Sequence, residues 1–319
     1  MTIENTLKSY VVAKPHPLLE AKTIQIVMMR EILDYTVLRT EETRELNVVA
    51  TPLSIEKSEN ERRVAFLGTK QKAAESRQLE QMLRTATREA GMANVKECYL
   101  KDRLCLECPR CGLHGGTNVE SGSEKIGNIR HRIEYGTAFS LMPFKNIGSA
   151  TTFNGVIDTT QQTGQALGTR YAVIPASVFP SIVTLRSVTW REVVLTIKSL
   201  LACKSYGAES RIGGDARNTI LGIAAGWEEI ITPLELTLEL YDSCVEAGAE
   251  MNGEAVKGIL DRYKELAGNP DKVKVFGVSE VEELIKNAAQ TTLDKAFLDA
   301  AYADIKAYRD VQKDAGKKK

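Results

Sequence analysis

Four cysteines fall within fourteen residues in the pattern Cys98-x6-Cys105-x2-Cys108-x2-Cys111. Thiolates at that density can surround one tetrahedral ion, and zinc is the usual occupant of an all-cysteine site. Pro109 and Gly112 shape the tight turn between the last ligands. His114 competes with Cys98 for the fourth place. An iron–sulfur cluster needs a further cysteine soon after a Cys-x2-Cys-x2-Cys run, where this chain has Gly115. Disulfides need an oxidising compartment, and nothing else in the sequence points to one. Four protein ligands leave no open position for a substrate, so a metal here organises structure rather than driving a reaction. The two remaining cysteines, Cys203 and Cys244, sit singly in apolar patterns and read as core thiols.

The other chemistry on offer is cationic. Lys plus Arg equals Asp plus Glu, 42 each in 319 residues, for a formal net charge of zero. That excludes a strongly basic chain but leaves room for local patches. Lys70, Lys72, Arg77 and Arg84 lie in one such stretch. Residues 129–135 alternate, so that Arg130, Arg132 and Glu134 share one face of a strand and Ile129, His131, Ile133 and Tyr135 the other. His131 is read either as a packed strand residue or as a phosphate or base contact. In the loop 207–218, three glycines accompany Arg211, Arg217 and Asn218. Backbone N–H groups and guanidiniums in such a loop suit a phosphate backbone, although an ordinary polar connection fits the same residues.

The elements that would position these groups follow from pattern. Residues 22–39 read as one long bent strand rich in β-branched residues, and residues 64–68 as a strand or strand end. The run 70–90 is a helix of good helix formers, with Leu79, Met82, Leu83 and Ala86 on its buried face. Residues 149–172, rich in Thr, Gln and Gly, predict a projecting hairpin, followed by a return strand within 172–185. A helix spans 189–205, a strand follows near 219–224, and the chain from Pro233 onward is helical. Lys317, Lys318 and Lys319 end a basic tail expected to be disordered. The N-terminal residues carry no apolar leader, and no stretch approaches a membrane span; the expectation is a cytoplasmic protein without membrane contact.

Catalytic signatures are missing. There is no phosphate-binding Gly-x4-Gly-Lys-Ser/Thr loop, no Gly-x-Gly-x2-Gly and no Gly-x-Ser-x-Gly, and three histidines are few for a histidine-dependent hydrolase.

Five segments in a fixed order give the chain a resemblance: the cysteine insertion, RIEYGTAFS at 132–140, FNGVID at 153–158 with TGQA at 163–166, VFPS at 178–181 and YGAESRIGG at 206–214. Together they resemble the CRISPR-associated repeat-associated mysterious proteins of the CRISPR-associated seven family, specifically the backbone subunit of the type I-D Cascade effector. The resemblance spans about residues 22 to 245. It implies an α+β fold with a modified RNA-recognition-motif (ferredoxin-like) palm, in a single elaborated domain of residues 1–319. The palm core would span 22–232, with a zinc-binding insertion at 92–128 and a thumb hairpin at 149–172. A mostly helical region at 233–312 and the basic tail at 313–319 would complete it.

As function the resemblance implies a non-enzymatic CRISPR RNA-binding subunit. Copies would form a helical filament along the guide, beside other Cascade subunits, and present it for pairing with target DNA in antiviral defence. The RNA contacts implied are Lys70, Lys72, Arg77, Arg84, Arg130, His131, Arg132, Thr163, Gln165, Arg211, Gly213, Gly214, Arg217 and Asn218. The one cofactor expected is structural Zn2+. Paired aromatics of an RNA-recognition motif are missing; only Tyr135 and Phe139 lie near a plausible sheet face. Two alternatives stand beside this reading. One is a metal-dependent nuclease subunit that cuts single-stranded target, for which Asp34 and Asp158 are the candidate acids. The other is a zinc-stabilised scaffold protein without nucleic acid.

Overall fold

The computed structural model describes residues 2–39, 45–100, 103–117, 127–208 and 213–317. After a short helix α1 (Ile3–Leu7), strand β1 (Thr23–Ile32) runs through the centre of the molecule. Its sequence Ile24-Gln25-Ile26-Val27-Met28-Met29 is apolar on both faces, and the strand is covered on both. Strands β2 (Val48–Pro52) and β3 (Asn60–Phe66) form a hairpin that leads into the long helix α2 (Gly68–Glu89). The cysteine insertion contributes α3 (Pro109–His114) and the two-residue strands β4 (Gly116–Thr117) and β5 (Asn128–Ile129). Strands β6 (Ile133–Tyr135) and β7 (Ala138–Phe139) and a turn of helix α4 (Phe144–Ile147) precede the hairpin β8 (Gly148–Val156) and β9 (Thr163–Val173). Then come β10 (Val178–Arg186), α5 (Trp190–Ala202) and β11 (Ala216–Gly226). Helix α6 (Pro233–Leu240) passes into a π-helical turn (Tyr241–Glu246). Helix α7 (Gly253–Glu265), strand β12 (Lys274–Val275), α8 (Val278–Gln290) and α9 (Lys295–Lys317) complete the order.

The main sheet is antiparallel, in the order β12-β11-β1-β10-β6. Successive side chains of β1 point to opposite faces. Ile24, Ile26 and Met28 pack with Leu79 and Leu83 of α2, Val193, Ile197 and Leu200 of α5 and Leu284 of α8. Val27 and Met29 pack with Leu236 and Leu240 of α6 and Val256, Ile259 and Leu260 of α7. Each such side chain contributes roughly 1.5–3 kcal/mol by leaving water. The second helical layer thus covers the sheet's other face; Tyr135, expected near an open sheet face, packs with the first cluster, its hydroxyl buried. A smaller sheet β2-β3-β7 forms a second core around Val64, Phe66 and Phe179.

Several expectations are corrected. The first strand stops at Ile32; beyond it Thr36 bridges Val173 at the base of the β8–β9 hairpin, and Val37 bridges Ala208 in the glycine loop. Residues 129–135 are not one strand. The Arg132 N–H donates to Leu113 O, and the Arg132 carbonyl accepts from Arg186 N, so residues 130–132 leave the ladder between β5 and β6. Far from fraying at 313, α9 continues through Lys317; Lys318 and Lys319 lie outside the described residues. No helix among the described residues is long and apolar enough to cross a membrane.

The hairpin is paired from Gly148↔Val173 to Val156↔Thr163, with register shifts beside Asn154. It forms a sheet of its own. Its base is anchored by buried Ile147, Ala172 and Val173, while Val156 and Ile157 near the tip are exposed.

Candidate metal centre and nucleic-acid surface

The ligand atoms of Cys98, Cys105, Cys108 and Cys111 lie within 4.8 Å of one another. The local fold aims them. Cys108 caps α3, its Sγ accepting from Cys111 N at 3.4 Å, and Cys105 Sγ accepts from Glu107 N at 3.4 Å. Cys98 Sγ stands 3.5 Å from Cys111 Sγ. A metal–sulfur distance of about 2.3 Å in a tetrahedron sets sulfur separations of about 3.8 Å, so the donor set fits one ion. Hydrogen bonds from Cys108 and its neighbours hold the Cys105 thiol far below its usual range, while sharing with Cys105 pushes Cys108 and Cys111 up. Four thiols this close ionise together only when a cation compensates them.

His114 is not in this group. It is 2% exposed, stacks on Tyr135 at 6.1 Å between ring centroids, and neither ring nitrogen has a partner among the described residues. Burial first, then the Arg110 and Lys72 charges, hold its imidazole well below the usual range.

The knuckle is sealed from two sides. On one, Ile305 and Tyr308 of α9 pack with Cys98, Leu106, Cys108, Cys111 and Ile129. Gly112 is required there, since a Cβ would come within 2.2 Å of Ile305 Cδ1. On the other, Glu80 of α2 approaches Cys108 Sγ at 3.9 Å. Its carboxyl is pushed up to about 7, by burial first and then by Cys98.

The cationic residues do not share one surface. Arg77, Arg130 and His131 are exposed, and Lys70 and Lys72 half-buried. Arg84 is engaged, donating to Cys98 O at 3.0 Å and standing 3.6 Å from Glu80; it braces the knuckle. Arg132 is fully buried. It pairs through both terminal nitrogens with Glu192, the residue that closes the capping box of α5 with Thr189, and it also donates to Gly112 O and Ser187 O. Such a guanidinium is a core pin, and its full burial keeps it from a phosphate at the surface. Asn218 is likewise internal: its amide nitrogen donates to Leu200 O, Cys203 O and Tyr206 Oη, and its oxygen accepts from Arg30. Arg217 is exposed but paired with Glu31.

In the glycine loop, Gly214 has φ +89° and donates its N–H to Tyr35 O. At Gly213 a Cβ would meet Tyr35 O at 2.7 Å. Arg211 lies outside the described residues. Thr163 is exposed at the start of β9; Gln165 follows in the same strand, its side chain outside the described residues. Asp34 Oδ1 accepts from the Tyr35 N–H at 2.7 Å, and Asp158 is exposed between the hairpin strands.

The burial of Asn218 had a signal. Extending the alternation of Thr219–Ile220 backward puts Asn218 on the inner side with Ala216, opposite Arg217. Arg110, placed between two metal ligands, drew no notice in the sequence as a cation.

A sequence profile of the family described as Csc2 Crispr matches residues 6–302. No significant match was found among curated proteins. Among solved structures, the crystal structure of Thermofilum pendens Csc2 is similar with a TM-score of 0.65 and 21% identity, covering 98% of this chain and 97% of that one. A chain of a CRISPR RNA-guided surveillance complex gives a TM-score of 0.48 and 13% identity, over 90% of this chain and 99% of that one.

Proposed function

Because the chain belongs to the Csc2 CRISPR family, we propose that it is the CRISPR RNA-binding backbone subunit of a type I-D Cascade. Copies polymerise along the guide in the cytoplasm, beside other Cascade subunits, and display it for pairing with target DNA. The observation that carries this reading is how segment 33–37 ties two distant parts of the chain. Thr36 bridges Val173 in the hairpin base, and Val37 bridges Ala208 in the glycine loop. The hairpin base and the described ends of the glycine-rich loop thereby stand on one support, an arrangement that suits a subunit gripping a sugar–phosphate backbone without reading sequence.

In this reading residues 22–232 act as a ferredoxin-like palm and 92–128 as its insertion. The hairpin is the thumb, 233–312 the helical region, and 313–319 a basic end, of which the residues up to Lys317 belong to α9. The guide contacts are Lys70, Lys72, Arg77, Arg130, His131, Thr163, Gln165, Arg211, Gly213, Gly214 and Arg217. Zinc is the ion we assign to the four cysteines, and the subunit has no turnover of its own. The nuclease alternative gains no support: among the described residues, the cysteines are the one group of three or more potential metal ligands.

The test is purification of the protein with its operon, followed by the absorbance ratio at about 260 and 280 nm and sequencing of whatever RNA copurifies. Guide RNA of defined length is expected. Well-folded protein that carries none, and binds none when it is added, overturns the reading in favour of a scaffold protein without nucleic acid.

A further inference from the structure

Lys72 and Ser76 stand one helical turn apart on α2 and therefore share a face. Ser76 Oγ accepts from Arg110 Nε at 2.7 Å, so the cysteine knuckle delivers Arg110 to the face that carries Lys72. Arg110 Nη1 is engaged by Gly115 O at 3.3 Å and Cys111 Sγ at 3.9 Å, whereas Nη2 has no partner among the described residues. Lys72, half-buried, has neither a hydrogen bond nor an ion pair among them. Burial, and after it the charge of Arg110, hold its ammonium below the usual lysine range. One turn along α3 from Arg110 lies His114, with both ring nitrogens unpartnered among the described residues.

Of the three acids of α2, Glu89 stands at the last position of the helix, more than three turns beyond Ser76, and the other two are committed elsewhere. Glu75 is bonded to Arg30 and Tyr206, and Glu80, although it feels Arg110, lies beside Arg84 and Cys108. Two partly desolvated cations on one face, with no carboxylate bound to either, repel each other and await an anion. An ammonium and a free guanidinium edge supply the donors that an oxyanion of phosphate type accepts.

We propose that Lys72 and Arg110 form a phosphate subsite built jointly by α2 and the cysteine knuckle. The proposal rests on the guide-binding reading for the source of the phosphate, a diester of the guide, and names Arg110 as a contact that makes the knuckle part of the grip.

The test uses the full chain with two probes, a single-stranded RNA and inorganic phosphate. Lys72→Met is the principal variant, because Lys72 has no partner among the described residues to lose; Arg110→Gln is read together with its metal content. Phosphate should raise the melting temperature of the wild type above that in chloride of equal ionic strength, and Lys72→Met should remove the rise. RNA affinity should fall roughly tenfold in Lys72→Met, as expected for a lost charge-assisted contact. The slope of log affinity against log salt should shrink by about 0.7 for a single strand. If the wild type binds RNA and both variants match it in affinity and slope, the subsite is wrong while the guide-binding reading stands. If the wild type binds no RNA, the guide-binding reading falls and the phosphate arm decides. A rise lost in Lys72→Met then establishes a site for free phosphate; no rise overturns the site.

Discussion

Arg30 of β1 and Glu75 of α2 form an ion pair at 2.5 Å with both side chains fully buried. Burial works against the Arg30 charge, and the Glu75 carboxylate overcomes it, leaving the guanidinium held even more firmly protonated than usual. Tyr206 Oη donates to the same carboxylate at 2.8 Å. Removing one partner strands a charge in the core. Glu75→Ala should therefore destabilise the protein by about 3–5 kcal/mol, measured by denaturant unfolding. The double variant Arg30→Met, Glu75→Leu should recover much of that loss. A double variant as unstable as the single would show that the pair does more than cancel its own desolvation.

The metal centre makes a stoichiometric prediction. Elemental analysis should give about one zinc per chain, and Cys108→Ser should lose it. Because α9 packs on the knuckle through Ile305 and Tyr308, protease sensitivity should rise in α9 of that variant. Iron with visible absorbance, or a folded preparation without metal, would contradict the assignment.

Arg130 and Arg132 should part company when substituted. Arg130→Gln removes an exposed guanidinium. Its expected effect is a similar loss of affinity for unrelated RNA sequences and a shallower salt dependence, with the melting temperature unchanged. Arg132→Gln leaves Glu192 buried and unpaired and should lower stability by several kcal/mol. Equal stabilities for the two variants would refute the buried pin.

His114 predicts a pH dependence. The folded ring is kept neutral by burial and by Arg110 and Lys72, whereas in the unfolded chain it titrates near the ordinary value of about 6.5. Its depressed pKa means that the contribution is fully present above about 6.5. It is lost as pH falls, by at most about 1.4 kcal/mol per pH unit. His114→Phe keeps an aromatic ring against Tyr135 and should lose less stability than the wild type between about pH 7.5 and 5.5 at matched metal content. Identical losses would rule out this imidazole as the titrating group.

Shortening the hairpin separates its two possible roles. A two-stranded hairpin alone is marginally stable in water, and this one has its base anchored by buried Ile147, Ala172 and Val173. Replacing residues 154–165 by a tight turn should leave the melting temperature nearly unchanged and impair assembly on RNA, followed by sedimentation. Unfolding of the shortened protein would mean that the distal strands belong to the core.

The parts legible in the sequence are those whose signal is local. Helix α2 was expected at 70–90 and spans Gly68–Glu89, because it is built of strong helix formers. The 189–205 helix is found at Trp190–Ala202, and the 149–172 hairpin at Gly148–Val173. Cysteine spacing alone brought out the four thiols that converge as a possible metal site, although it left His114 as a competitor for the place of Cys98. What failed was parity across a break. Alternation tells which residues share a face only while the ladder persists, and at residues 130–132 the backbone bonds to Leu113 and Arg186 instead. Arg132 thus turned inward beside a strand on which it had been read as facing out. The covering of the sheet's second face by α6 and α7 is a long-range arrangement, and no pattern within 233–265 says which face those helices choose.

The packing of α9 on the cysteine knuckle also sets an order of events during synthesis. Chains grow from the N-terminus and fold as they emerge. The four cysteines leave the ribosome, and can take up their ion, long before Ile305 and Tyr308 exist. Until then the face of the knuckle that α9 covers, including the bare backbone of Gly112, stays open to solvent and to passing chelators. An ion bound there would be loaded early and locked late, so a ribosome stalled between the two elements would hold a nascent chain whose metal remained exchangeable.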